Sequence, residues 1–181
     1  MATTKHTLVA LVEDKPGVLN RMASLFRRRG FNIESIAVGH SEVPHLSRMT
    51  IVVDGSAAMV EQVRKQLDKV IDVVKVSDIT EGDMIARELA LIKVKATSAT
   101  RSEIMQVVDI FRANIVDVAS DSVTVEVTGD EEKIKSLFNL LRSFGIKEIA
   151  RTGCIAMTRG SQGALQVEER LSKARSKRQK S

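Results

Sequence analysis

The sequence predicts an α+β chain: two ferredoxin-like βαββαβ domains in tandem, followed by a basic tail. Three observations carry this. Apolar patterning runs β-α-β-β-α-β over the first half of the chain, the split βαβ arrangement of four antiparallel strands with two helices on one face. The same order recurs from Leu89 onward. A short echo, TIVVDG at 50–55 and TVEVTG at 124–129, repeats at a spacing of 74 residues, each copy just ahead of a helix.

The elements follow in order. Residues 7–13 (TLVALVE) form a continuous apolar strand, ended by the turn signal Asp14-Lys15-Pro16-Gly17. Val18, Leu19, Met22, Leu25 and Phe26 fall on one face of a helix. Arg27, Arg28 and Arg29 suit its negative C-terminal end, and Gly30 suits a cap of positive φ. Residues 31–39 read as a strand, Pro44 interrupts, and 46–53 reads as the next. Asp54-Gly55-Ser56 opens a helix with Met59, Val60, Val63, Leu67 and Val70 on its apolar face, and 71–76 closes the first domain as a strand.

In the second half, 89–96 is a strand, and Ile104, Val107, Val108 and Phe111 give a helical face. Strands at 115–119 and 123–127 follow, then a helix with Ile134, Leu137, Phe138 and Leu141 inward, and a strand at 146–150. Residues 154–157 either extend that strand or form one more. The expected boundaries are 5–78 for the first domain, 79–87 for a linker containing Gly82, 88–160 for the second domain and 161–181 for a basic flexible tail. Neither domain alone has much core, which favours packing between sheets or subunits.

Composition excludes several classes. The 181 residues are 43% hydrophobic and 28% charged, ordinary for a globular protein. No apolar run is long enough for a transmembrane helix, and the first six residues are too short and polar for a signal peptide. A single cysteine, Cys154, cannot form an intramolecular disulfide and suits a reducing cytoplasm. His6, His40 and His45 have no metal-ligand spacing. Aromatics are only 3%, with no Trp or Tyr, which argues against base-stacking nucleic-acid modules. The net charge of +5 is concentrated at the end: Ala164 to Ser181 carries six basic and two acidic residues, leaving the remaining body at +1.

No nucleophile-base set, GxGxxG or P-loop is present. Glu13 and Asp14 are adjacent carboxylates with no partner for acid-base catalysis, and solvated loop charges account for them. The segment Asp14 to Leu19 says more. A strand ends, the chain turns at Pro-Gly, and a helix begins with free amides that can bind a carboxylate. Gly17 lets a ligand approach the backbone, and Asp14 can accept from an ammonium. Adjacent carboxylate and ammonium sites are what an α-amino acid requires; a Pro-initiated helix with no ligand is the plainer alternative. Asn32, at the start of the second strand, offers donor and acceptor groups, or satisfies a local turn. Arg48 lies in a strand-like run, facing a partner or solvent.

Several stretches resemble the small regulatory subunits of acetolactate synthase (acetohydroxyacid synthase). They are residues 13–19 with Asp14-x-x-Gly17, LFRRRGFNIESI at 25–36, LSRMTI at 46–51, IFR at 110–112, IVDV at 115–118 and ARTG at 150–153. The resemblance implies an N-terminal ACT domain, an amino-acid-binding ferredoxin-like module, and a C-terminal domain of similar fold. It implies a non-catalytic subunit that pairs side by side as a homodimer, sheets merging, with the effector between subunits. The partner would be the catalytic large subunit, which would carry thiamine diphosphate, magnesium and FAD; this subunit would hold no cofactor and no metal. The small subunit would activate it and confer feedback inhibition by a branched-chain amino acid, typically valine.

Effector residues carried over are Asp14, Gly17 and Val18 from the first turn, Asn20 one turn into the helix, and Asn32 with Ile33 from the facing subunit. Asp14 stands where the common bacterial subunits have Asn, and Asn20 replaces a small hydroxyl residue. Arg48 is the expected contact to the catalytic subunit. The alternatives are a stand-alone ACT-type sensor for another enzyme or transcription factor, a basic-tailed nucleic-acid binder, and an enzyme in its own right.

Overall fold

The structure, a computed structural model, describes residues 4–28 and 30–160. Arg29 and the basic tail, 161–181, lie outside the described residues. The described chain divides into two compact units, residues 4–85 with 154–160, and residues 86–153.

The first unit contains β1 (Thr4–Glu13), α1 (Val18–Arg28), β2 (Ile33–His40), β3 (Leu46–Gly55), α2 (Ala57–Leu67) and β4 (Val73–Asp78). Its antiparallel sheet has the order β2-β3-β1-β4, the split βαβ topology the sequence predicts. Alternate residues of the central strands face the helices: Leu8, Ala10 and Val12 of β1, with Met49, Ile51 and Val53 of β3. They pack on Met22, Leu25 and Phe26 of α1 and on Val60, Val63 and Leu67 of α2. Ser56 caps α2, its hydroxyl accepting from the Met59 amide at 3.4 Å. Gly30, at φ +69°, turns the chain out of α1 and lets the Phe31 amide bond back to the Phe26 carbonyl.

The second unit repeats the plan with most of β5 (Met84–Lys95), then α3 (Arg101–Ile110), β6 (Asn114–Val118), β7 (Ser122–Gly129), α4 (Glu131–Leu141) and β8 (Ile146–Arg151). The strand order β6-β7-β5-β8 is that of the first sheet. The echoed segments TIVVDG and TVEVTG occupy equivalent places, the ends of β3 and β7, each followed by a helix. The core joins Ala90, Ile92 and Val94 to Val123, Val125 and Val127, under Ile104, Val108, Ile134, Leu137 and Leu141.

Four local expectations change. The strand expected at 71–76 runs from Val73 to Asp78, because the amides of Val70 and Val73 close turns onto Leu67 and Val70 and leave Ile71 in solvent. Met59 is half-exposed, so the inward face of α2 is Val60, Val63 and Leu67 alone. Strand β5 begins at Met84, so 84–87 of the expected linker is extended strand. Residues 155–158 form the separate strand that the sequence allowed, β9 (Ile155–Thr158), but it belongs to the first unit rather than to the expected 88–160 domain, and lies there against β1. That contact fits the outer face of the first sheet: Val9 and Leu11 point away from the helices yet are as buried as Leu8 and Ala10.

Candidate functional site

The turn between β1 and α1 is built as an open, polar mouth. The Asp14 amide donates to the His45 carbonyl at 2.9 Å, which pins the end of β1 against the loop before β3. Asp14's carboxylate is half-exposed and lies 3.3 Å from the His40 imidazole Nδ1. Gly17 adopts φ +86°, and a Cβ there would meet nothing within 4 Å. Its need for glycine is therefore conformational, and space remains above the turn. Val18, almost fully buried, anchors the helix start in the core, while Leu19 and Asn20 face outward. The Val18 amide donates to the Lys15 carbonyl at 3.5 Å, and the Arg21 amide to the Gly17 carbonyl at 3.0 Å. The amides of Leu19 and Asn20, between these two, lie in the first turn, where a helix offers no internal acceptor and the dipole favours an anion. Arg21 also pairs with Asp72 at 2.8 Å, and the Asp72 carbonyl accepts from the Glu13 amide at 2.8 Å, so the helix start is held to β4.

The equivalent turn of the second unit is closed on itself. Thr97 and Thr100 exchange hydrogen bonds, each hydroxyl accepting from the other's amide at 3.0 and 3.3 Å. The Arg101 side chain covers the end of β6, donating to the carbonyls of Ala119 and Ser120. No glycine opens this turn. Two copies of one fold therefore carry one open helix start and one satisfied one.

Asn32 and Ile33 lie elsewhere. Ile33 pairs with Val53, which on its other side pairs with His6. Asp14 is eight residues further along β1, about 26 Å away at the strand rise of ~3.3 Å per residue. Strands β1 and β2 both run antiparallel to β3, so they are parallel to each other: the end of β2, His40, is the part that reaches Asp14. Asn32 is exposed just before β2, and Ile33 is partly buried against the core. One chain thus gathers Asp14, Gly17, Val18 and Asn20 but leaves Asn32 and Ile33 at the far end of an edge strand.

Arg48, expected to face the catalytic subunit, is engaged within the chain. Its Nη2 donates to the Ala156 carbonyl at 3.0 Å. Desolvation lowers its pKa from the usual arginine value, partly offset by Glu42. Sequence reasoning missed His40, His45 and Asp72 as neighbours of the turn. His40 could have been found from the parallel ends of β1 and β2, whereas His45's positive φ of 65° has no sequence signal.

Comparisons with known proteins agree over most of the chain. Residues 8–75 match the family described as "AHAS small subunit-like ACT domain", and 87–160 match "Small subunit of acetolactate synthase". A probable acetolactate synthase small subunit of Archaeoglobus fulgidus is 59% identical over 157 residues, 87% of this chain and 98% of its own length. The acetolactate synthase small subunit of Mycolicibacterium smegmatis is 51% identical over 161 residues, 89% of this chain and 95% of its own. The crystal structure of the small subunit from Thermotoga maritima superposes with a TM-score of 0.81 at 44% identity, covering 88% of this chain and 99% of that one.

Proposed function

The chain belongs to the family of acetolactate synthase small subunits, and on that premise we propose that it is a non-catalytic regulatory subunit with a shared effector site. It activates the catalytic subunit and confers feedback inhibition by a branched-chain amino acid, valine first among them. On this reading thiamine diphosphate, magnesium and FAD reside on the catalytic subunit, and the complex works in the cytoplasm.

The observation that carries the reading is the separation of Asp14 and Gly17 from Asn32 within one chain. Strand β2 is an edge strand, with one side of its backbone open to a second strand. Antiparallel pairing of β2 with its own copy across a two-fold axis would bring Asn32 level with the far end of the partner's β2. The partner's Asp14, at the end of its β1, is then three strand spacings away, about 14 Å, a gap that an amino acid and side chains can fill. The first-turn amides of the partner's α1 would take the carboxylate, the partner's Asp14 the ammonium, and Asn32 of this copy the remaining polar contacts. An effector bound there depends on how the two copies are oriented, so it can favour one state of the complex over another.

The test is co-purification of this chain with the catalytic subunit, followed by activity with valine, leucine and isoleucine in turn. Activation by the chain and inhibition by at least one of the three are expected, and Gly17→Asp should lose the inhibition. Co-purification without any effect of the three amino acids would overturn the effector site. Absence of a complex with the catalytic subunit would overturn the regulatory reading itself.

A further inference from the structure

The outer face of the first sheet carries a segment that ties β2 and β3 to the far end of the chain. The Cys154 amide donates to the Ser35 hydroxyl at 2.8 Å. The Ala156 amide donates to the Thr50 hydroxyl at 3.4 Å, and the Ala156 carbonyl accepts from Arg48 at 3.0 Å. Ser35 pairs with Val52, Thr50 with Val9 and Arg48 with Leu11, so all three side chains rise from the face opposite the helices. Thr50 is buried and Arg48 half-buried under this segment, and Ala156 is buried too. Hydrogen bonds in such a setting cost more to leave unmade than exposed ones.

Two further features mark its position. Ser35 lies two residues after Ile33, and the pairing of β2 with β3 shifts register between them. A bulge there leaves the start of β2 less tightly laddered than its middle, a device often found beside functional sites. Cys154 directly follows Gly153, at φ +82°, the last residue of the second unit. The segment therefore links, by the Cys154–Ser35 hydrogen bond and one peptide bond, the strand that begins at Ile33, directly after Asn32, to the second unit.

We infer that residues 154–158 are a coupling strap, with Ser35, Thr50 and Arg48 as positioning residues that transmit the effector's grip on β2 to the rest of the subunit. The inference rests on the effector site proposed above. An effector that orders Asn32 and Ile33 fixes the bulge, the bulge fixes the Ser35 hydroxyl, and Ser35 fixes the point where the chain returns from the second unit. The strap is distinct from the binding site, so loosening it separates occupancy from inhibition.

The experiment uses the full chain in complex with its catalytic subunit. Ser35→Ala removes the acceptor for Cys154, Thr50→Val removes that for Ala156 at nearly constant shape, and Thr50→Ser restores a hydroxyl. Valine binding is measured by calorimetry and inhibition by activity, with thermal melts as a control for folding. The expected result is valine affinity close to wild type, with the affinity change between the active and inhibited states weakened by about fivefold or more. Thr50→Ser should recover inhibition. Inhibition at wild-type strength in both Ser35→Ala and Thr50→Val would overturn the strap. Parallel loss of binding and inhibition in a folded variant would overturn it as well, making these residues part of the site. Failure of wild-type chain to bind valine, leucine or isoleucine would overturn the effector reading, and the strap's role with it.

Discussion

Asp14 and Asn32 stand at opposite ends of one sheet, about 26 Å apart by strand rise, although both belong to the residues that would hold one small amino acid. A single copy has the side proposed for the carboxylate and ammonium but not the other wall. On the proposed function, that relationship would make effector binding a property of a dimer.

Gly17 occupies a left-handed conformation with open space where a Cβ would stand. Gly17→Ala should therefore fold, at a cost of about 1–2 kcal/mol from backbone strain alone. Gly17→Asp adds a carboxylate beside the first-turn amides and should weaken effector binding by at least about tenfold, the factor that ~1.4 kcal/mol of repulsion gives. Calorimetry beside a thermal melt separates the two effects. Unchanged binding in a folded Gly17→Asp would move the site elsewhere.

Asp78 ends β4 and meets His6 at 2.9 Å and both the amide and hydroxyl of Thr80. Burial alone would raise its pKa, but those hydrogen bonds outweigh it and hold the carboxyl below the usual range. A carboxyl depressed in the folded state contributes stability above its unfolded pKa and loses it as pH falls through the folded value. Asp78→Asn should thus be less stable than wild type at pH 7, with the gap closing below about pH 4. Urea midpoints across that range check it; a gap that widens in acid would contradict the assignment.

Glu88, nearly buried on β5, receives a forked pair of hydrogen bonds from Arg151 on β8, at 2.7 and 2.5 Å. Its hydrogen bond raises the arginine's pKa, against a smaller desolvation penalty. Arg151→Leu leaves the carboxylate without this partner and should cost about 2–3 kcal/mol. Adding Glu88→Leu should recover most of that loss, since an apolar pair can replace a buried ionic one. Chemical denaturation of the single and double variants decides; equal losses in both would show that the pair itself, not the orphaned charge, matters.

Phe26, the largest fully buried side chain of the first unit, joins α1 to the sheet. Phe26→Ala should cost about 3–5 kcal/mol through lost burial and the cavity left behind. Hydrogen exchange should show the loss in β1 and α1 before it appears in β7, because the two units have separate cores.

The parts legible in sequence are those governed by local periodicity and turn chemistry. Val18, Met22, Leu25 and Phe26 mark α1 by spacing, and all are buried. The Pro-Gly turn and Gly30 behave as their residue types dictate. Local rules failed where tertiary structure decides. Ile71 and Met59 look like core residues but are exposed, because turns and helix phase carry them outward. Arg48 reads as an outward charge, and only the return of residues 154–158 gives it a carbonyl. That return is four residues of strand, Ile155 and Met157 exposed around a buried Ala156, too short for periodicity to announce. The candidate site was legible through residue types at Asp14, Gly17 and Asn32 and through the resemblance, which assigns Asn32 and Ile33 to the facing subunit; the register adds how far apart the two halves lie in one chain.

A mixed dimer tests the shared site most directly. Gly17→Asp and Asn32→Ala chains, each alone, should bind valine poorly. When equal amounts are mixed and allowed to exchange, half the dimers become mixed, and each of these has both mutations in one site and neither in the other. Calorimetry should then recover wild-type affinity at about a quarter of all sites. No recovery on verified mixing would contradict a site built from Gly17 of one copy and Asn32 of the other.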